Sequence, residues 1–582
     1  MASILNSKQF ERLRGSIDWS NIQLEFQRKK RIEAIKQFTG YHYSEDSSDR
    51  RVIVPFVKLA VAIYLRLLAA KAPRCLITTK RRQLKSTAAN LELAVNEIPK
   101  EIGLQNTLKD IVLEALFSFG VAKVGLADVG ELMGHRIGEP FVDCVTLDNL
   151  VIDMSATNLS QIQYIGNDYW MNHENVVDGD AFPSKVTKDL DADNYTTISE
   201  SGAEKAEGIT QDEQAQVYKK KILLRDIWLP EDNVFATYAV KSGKLLDSVK
   251  WTGPELGPYH ILGFDKVPGN LLPVSPVSIW RDLHELANRL YRKLGAQADA
   301  QKTVLGFSDT SGEAVDSFKK ARDGDGIAYT GQKPEKLTAG GVESTTLAFF
   351  MNNRDLFSYF ANNLDSLGGL GAQSDTVGQD KLISTASGAQ LRDMAQQVID
   401  FSKAIFGSLG YYEWNDLVRT RELERPIPGT DMSFVVPWNQ ESRAGRFDMY
   451  DLDIDVFSMQ DDSPSIKLQK LGQIMQQYII PLMPAIQEAG GTLNVKSIME
   501  AVAKFSDFPE IAEFVTFVDG FSTDEVSNKK TPKSAPTNTT RTVHRVNTPG
   551  ATDRGKSQIL QQALVGGKPQ QSEIDSLSRP SG

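Results

Sequence analysis

Cysteine is nearly absent from this chain: 582 residues hold only Cys75 and Cys144. Two cysteines build neither a disulfide framework nor a zinc ligand set, so the easy reading is a reducing compartment. Long apolar runs are missing too. The most apolar stretch, Val52 to Ala70, is interrupted by Pro55, Lys58 and Arg66, whereas a membrane span needs ~20 largely uncharged apolar residues. It predicts a buried helix and no membrane contact. The opening residues, Met1 to Arg14, are polar and charged, which predicts no signal peptide.

Signatures of catalysis are sparse. The histidines (His42, His135, His173, His260, His284 and His544) are scattered, with no H-E-x-x-H pair, and no G-x-S-x-G elbow occurs. Gly368, Gly369 and Gly371 follow a helical stretch rather than a strand, the wrong context for a dinucleotide. The expectation is a protein with no catalytic residue, no cofactor and no metal, and not itself an ATP-driven motor. One stretch argues for an enzyme. Asp451, Asp453 and Asp455, followed by Asp461 and Asp462, put three carboxylates on one strand face, as a Mg2+-dependent nuclease would. Period-2 alternation with Leu452, Ile454 and Val456 inward gives the same pattern for a half-buried strand with a solvated acidic face.

Charge is unevenly spread. Seventy-five acidic residues outnumber 65 basic ones, for a net charge of −10. That suits a surface past which nucleic acid slides better than one that grips phosphates. From Ser527 onward the chain is rich in Ser, Thr, Pro and Gln. Its bases (Lys529, Lys530, Lys533, Arg541, Arg545, Arg554, Lys556, Lys568 and Arg579) face only Asp553, Glu573 and Asp575. It reads as a flexible basic tail on an acidic body.

Hydrophobic periodicity predicts an α+β chain. Residues 7 to 38 are helical in pattern, with Phe10, Leu24, Phe26 and Ile32 as anchors, and Val57 to Ala70, Thr87 to Glu97 and Leu104 to Phe117 follow as helices. Arg74 to Thr79 is extended, Val121 to Ala127 is a strand, and short strands run from Pro140 to about Pro268. A polar acidic stretch, 184 to 213, reads as a surface loop. Ser275-Pro276 pairs an N-cap residue with proline at the first helical position. Ile279, Leu283, Leu286, Leu290 and Leu294 then mark one long helix of ~36 Å. A small module follows, with strand Thr303 to Phe307, helix Glu313 to Ala321, strand Gly326 to Thr330 and an extended piece near Lys336. Ser344 then caps a second long helix whose stripe is Leu347, Phe350, Met351, Phe357, Phe360, Leu364 and Leu367. Residues 368 to 384 read as a glycine-rich loop, and Thr385 caps a third long helix. Strands return at Met432 to Val436 and Tyr450 to Val456. Helices fill Ser465 to Phe514, broken by Pro481 and Pro484.

The order long helix, small module, long helix, glycine-rich loop, long helix resembles the portal proteins of tailed bacteriophages. So do Gln37-Phe38-Thr39-Gly40-Tyr41, Ala72-Pro73, Phe119-Gly120-Val121, and the lead Pro273-Val274-Ser275-Pro276. Leu147 to Asp153 is similar to the family's Asp-Pro strand turn, although Met154 stands where proline would be. The resemblance covers roughly residues 20 to 520. It implies the portal fold: helices and a strand-rich wing over 1–274, a first stem helix over 275–302, a clip over 303–343, and a second stem helix over 344–367. A tunnel loop over 368–384, a long wing helix with returning strands over 385–463, a helical crown over 464–526 and a tail over 527–582 complete it. It further implies a homo-oligomeric ring, usually a dodecamer, at one capsid vertex of the virion, made in the host bacterial cytoplasm. The ring would conduct double-stranded DNA during packaging and ejection. Its partners would be the terminase large subunit, a head-tail adaptor and the major capsid protein. DNA-facing candidates are Gly368, Gly371, Ser374, Gln379 and Lys381, and clip contacts are Lys319, Lys320 and Arg322. The alternatives are the metal-dependent DNA-processing enzyme and another virion structural protein such as a tail hub.

Overall fold

The computed structural model describes residues 4–40, 53–127, 138–179, 182–193, 218–306, 313–322, 335–367, 377–416, 420–426, 433–455, 472, 475–482 and 502. The chain divides into two units, Met1–Met475 and Gln476–Gly582. The first is mixed α+β. Its helices are α1 (Ser7–Thr39), α2 (Phe56–Leu68), α3 (Lys85–Glu101), α4 (Leu104–Phe117), α5 (His173–Val177), α6 (Ser184–Thr187), α7 (Pro276–Asp299), α8 (Glu313–Lys320), α9 (Ser344–Phe360), α10 (Leu364–Leu367) and α11 (Val377–Asn415). Its strands are β1 (Arg74–Thr78), β2 (Gly120–Leu126), β3 (Pro140–Val145), β4 (Leu150–Ile152), β5 (Ile165–Asn172), β6 (Lys221–Leu229), β7 (Val234–Ala239), β8 (Lys244–Lys250), β9 (Tyr259–Leu262), β10 (Lys302–Gly306), β11 (Glu335–Ala339), β12 (Arg421–Pro426), β13 (Ser433–Trp438) and β14 (Asp451–Asp455).

A five-stranded antiparallel sheet, ordered β4-β5-β6-β7-β8, forms the strand-rich part. Side chains alternate across a strand, and β6 uses both faces. Ile227 and Leu229 meet Val234, Ala236 and Tyr238, together with Phe10 and Ile17 of α1. On the other face, Ile222 and Leu224 pack with Val176 of α5, and Trp228 packs with Val121 and Tyr259 of the three-stranded sheet β3-β2-β9. Between those clusters Lys123 of β2 reaches Asp226 of β6 at 2.6 Å. Asp226 also accepts from Thr237 and Tyr169. The Lys123 ammonium lies 5.3 to 6.0 Å from the rings of Tyr169, Phe235 and Tyr259. A buried charge survives only when paired and hydrogen-bonded, and this one ties the two sheets together.

The largest core joins α2, α3, α4 and α11 to the three-stranded sheet and to the β1–β14 ribbon. α1 begins with a capping box between Asn6 and Gln9 and ends at Gly40, whose φ of +79° glycine adopts without strain. Arg31 of α1 holds Glu114 of α4 and Asp148, so the helix is pinned to both layers.

Several expectations are corrected. Phe26 is no anchor; it is 61% exposed. The stretch read as a loop from 184 opens with α6, buries Leu190, and places Asp193 to accept from the amide of Leu223. Residues 194–217 lie outside the described ones. β9 falls inside the stretch read as short strands, but β12 was not foreseen, because a charged six-residue stretch around a lone leucine looks like connecting chain. The second long helix stops at Phe360, and Asn362 and Asn363 take positive φ before α10. Asparagine tolerates that region better than other side-chain-bearing residues. Glu343, not Ser344, stands at its N-cap. The third long helix starts at Val377, eight residues before Thr385, since nothing from Gln379 to Ser384 breaks a helix. The expected helix break at Pro481 is also absent: residues 480–482 are helical. A π-type turn at Met475–Ile479 precedes that proline, a usual means of accommodating the missing amide. The strand expected at Gly326 to Thr330 and most of the crown range lie outside the described residues.

Candidate functional site

The feature without a counterpart elsewhere in the described chain is a helical hairpin, α7 and α9, carrying a small module at its tip. α7 starts as the sequence implies: Ser275 Oγ accepts from the Ser278 amide at 3.2 Å, and Pro276 occupies the first turn. Its buried face is rotated from the expected leucine stripe. Val277, Trp280, His284, Ala287, Asn288 and Leu294 are buried, while Ile279 is 46% exposed and Leu286 half-buried. Trp280 wins the inward position because its ring stacks against Tyr64 of α2 at 5.2 Å. The leucine stripe is left facing partly α9 and partly solvent.

Polar side chains root the hairpin. Asn288 Oδ1 accepts from the Val54 amide at 2.8 Å, and its Nδ2 donates to the carbonyls of Val54 and His284. Asn353 of α9 donates to the Leu283 carbonyl at 3.0 Å. Tyr64 donates to the Ala361 carbonyl and accepts from Asn362 Nδ2. Burial pushes the Tyr64 phenol up to about 12 and holds His284 down at about 4, so both are neutral near pH 7. Apolar contacts finish the seam: Phe350 packs with Ala287 and Leu294, and Phe56 of α2 sits 5.2 Å from Phe357. These polar positions gave no signal in the sequence, where they merely interrupt an apolar stripe.

At the tip, β10 and β11 pair antiparallel from Lys302↔Ala339 to Gly306↔Glu335, with α8 between them in sequence. The return to α9 runs through Gly340 and Gly341, both at positive φ. A Cβ on Gly340 would stand 2.9 Å from the Ala300 carbonyl, so only glycine passes the end of α7 there. Lys319, Lys320 and Arg322 are gathered and exposed at the C-terminal end of α8. Cations are favoured there by the helix dipole.

α9 is apolar on more than one face. Phe350 and Phe357 are buried, yet Phe349 is 50% exposed, Phe360 51%, and Leu347, Met351, Leu356 and Tyr359 are also exposed. A helix hydrophobic all round is normally buried. The signal was readable in the sequence, but the expected single stripe absorbed it.

The remaining site candidates divide. Gln379 and Lys381 fall in the opening turns of α11 rather than in a loop. Gly368, Gly371 and Ser374 lie outside the described residues, as do Asp461 and Asp462. β14 pairs with β1, Asp453 opposite Leu76, with Ile454 buried and Asp451 and Asp453 exposed. Lys403 approaches Asp453 at 3.4 Å. Among the described residues no group of three or more His, Cys, Asp or Glu side chains is placed to hold a metal ion. One motif runs against the expectation that the chain is not itself an ATP-driven motor: Gly550 to Ser557 reads Gly-Ala-Thr-Asp-Arg-Gly-Lys-Ser, the spacing of a phosphate-binding loop. Such a loop needs a buried strand before it, and residues 527–549 offer only Ala535, Val543 and Val546 as apolar side chains. The match is one of spacing, outside the described residues. No protein-family model matches the chain, and neither does any curated protein sequence.

Proposed function

We propose that this chain is a portal protein of a tailed bacteriophage. In that reading it forms a ring at one capsid vertex of the virion, and the double-stranded genome enters and leaves through the ring. The observation that carries the reading is the hairpin: two helices rooted by Asn288, Asn353 and Tyr64, tipped by the β10–α8–β11 module, with apolar side chains of α9 left uncovered. Side chains such as Phe349 and Phe360 each gain about 1 kcal/mol or more when the remaining half of their surface leaves water. A neighbouring copy covers them if α9 of one chain meets a different face of the next. Such heterologous contacts close into a ring when the rotation per copy allows it. α7 then turns its charged residues toward the channel, and the net charge of −10 keeps phosphates from sticking. The tip, with Lys319, Lys320 and Arg322, is the docking point for the terminase large subunit and later the head-tail adaptor. The outer body meets the major capsid protein.

Light scattering and negative-stain images of the purified chain test this. Rings without added nucleotide or metal are the expected result; a species that stays monomeric at micromolar concentration overturns it. Charge reversal at Lys319, Lys320 and Arg322 is expected to weaken terminase pull-down while rings persist. Unchanged capture assigns that cluster to plain solvation.

A further inference from the structure

The exposed apolar side chains of α9 all lie on one helix, whereas a ring subunit must be held by its neighbours on two different faces. A second surface must contribute, and α1 supplies a patch that its own chain leaves open. Phe10, Ile17 and Leu24 point inward, but Trp19 is 46% exposed, Ile22 71% and Phe26 61%. Their spacing of three and four residues places them on one stripe, opposite the buried face. Gly15 lies on the same stripe, four residues before Trp19, with nothing within 4 Å of where its Cβ would be. Glycine inside a helix is destabilising relative to alanine, and no contact among the described residues accounts for it. Along one edge of the stripe stand the exposed Lys8, Arg12 and Lys30, the last with its ammonium 4.3 Å from the Phe26 ring.

The complementary surface is the outer face of the β12–β13 ribbon. Register puts Glu422 opposite Pro437 and Glu424 opposite Val435, so these four share one face. All four are exposed, Val435 to 56%. The opposite face is the packed one, with Leu423 and Trp438 fully buried. The first patch is apolar with its basic edge on one side and Glu11 and Asp18 on the other, and the second is apolar with two carboxylates, so the basic edge is the one that matches it. They lie apart on the same molecule: α1 packs on α4, α4 on α3, and α3 on the ribbon.

We propose that the outer stripe of α1 in one copy docks on the outer face of the β12–β13 ribbon in the next copy. The contact is heterologous, as a ring requires. It rests on the ring reading above only in taking the partner to be a second copy of this chain. Lys8, Arg12 and Lys30 approach Glu422 and Glu424, while Trp19 and Phe26 cover Val435 and Pro437.

Sedimentation of the full chain at low ionic strength tests the proposal through a charge exchange. Glu422→Lys with Glu424→Lys is expected to raise the concentration needed for assembly about tenfold or more, and so is Lys8→Glu with Arg12→Glu and Lys30→Glu. A chain carrying all five changes should assemble within about threefold of the parent, because the attraction is restored with its signs exchanged. If the parent assembles and neither reversal shifts it, this interface is wrong while the ring reading stands; if the parent never assembles, both fall. Should a reversed chain lose its fold by circular dichroism, Gln23→Cys with Glu424→Cys keeps the question open to measurement. Disulfide-linked species beyond the dimer support the contact, and a single monomer band overturns it.

Discussion

The five-stranded sheet and the α7–α9 hairpin sit in the same chain, yet one is finished and the other is not. The sheet is covered on one face by α1 and on the other by β2, β9 and α5, and its buried charges are paired within the chain. The hairpin has one closed seam, and α9 keeps Phe349, Phe360 and Tyr359 in solvent. A region complete in itself responds to mutation through folding stability. A region that is half an interface responds through assembly. Substitutions sort the two.

The largest effect is expected in the sheet. Arg225 is bonded through Nε and Nη2 to both oxygens of Asp168 and through Nη1 to Tyr238, and its side chain is only 8% exposed. These groups hold its guanidinium firmly charged despite burial. Removing one member of a buried pair leaves an uncompensated charge, at a cost of about 3–5 kcal/mol. Arg225→Ala should therefore lower the urea midpoint of the Met1–Met475 unit severely, and the hairpin's own contacts give it no protection. An unchanged midpoint would contradict the view that the sheet completes itself.

Acid separates the regions next. His260, bonded to Ser408, and His284, on the buried face of α7, are both held at about 4 by burial. Their unfolded value is 6.5, so below that pH the unfolded chain takes up protons that the folded chain refuses. Stability is fully present above about 6.5 and is lost as pH falls toward 4, by on the order of 3 kcal/mol for each histidine. A pH series of urea titrations on the parent, His260→Gln and His284→Gln assigns the slope. Each variant should flatten it by about half.

Asn288→Ala should cost less, about 1–2 kcal/mol, because it leaves the half-buried amide of Val54 without its side-chain partner, while the Val54 carbonyl still accepts from the Phe56 amide. Its diagnostic is a larger loss in assembly than in folding, since α7 is unpinned from residues 53–56. Equal losses by sedimentation and by urea would mean that the hairpin belongs to the folded body as much as the sheet does.

How much of this was legible in the sequence follows the same division. α4 and β2 were located to within a residue or so, because each has a single buried face or a dense apolar run bounded by glycine or polar turns. The start of α7 was legible from Ser275-Pro276 alone. Its orientation was not. The apolar stripe from Ile279 to Leu294 is real, but Trp280, His284 and Asn288 hold the inward positions because Tyr64 and Val54 are there to meet them. That is tertiary information. The end of α9 was missed for a related reason: Asn362 and Asn363 look like ordinary polar positions until their φ is known. Lys319, Lys320 and Arg322 could be seen as a cluster because they are adjacent in sequence, whereas Phe349 and Leu356 were missed because a helix with two apolar faces scores as one.

The smallest effect should come from the acidic strand. Asp453 is 70% exposed, its contact with Lys403 is 3.4 Å, and both side chains are largely in solvent. A surface pair of this kind contributes at most about 0.5–1 kcal/mol. Asp451 is exposed as well, and its cross-strand neighbour is Thr78. What fixes β14 is its ladder with β1 and the buried Ile454, neither of which depends on the carboxylates. Asp451→Asn with Asp453→Asn should then move the urea midpoint by an amount close to the error of measurement, and added Mg2+ should leave the melting temperature of parent and variant alike. A Mg2+-dependent rise in the parent that the double variant loses would show a cation seated on that face. It would return the strand to the nuclease reading that the sequence raised, and would make it a site and not a solvated edge.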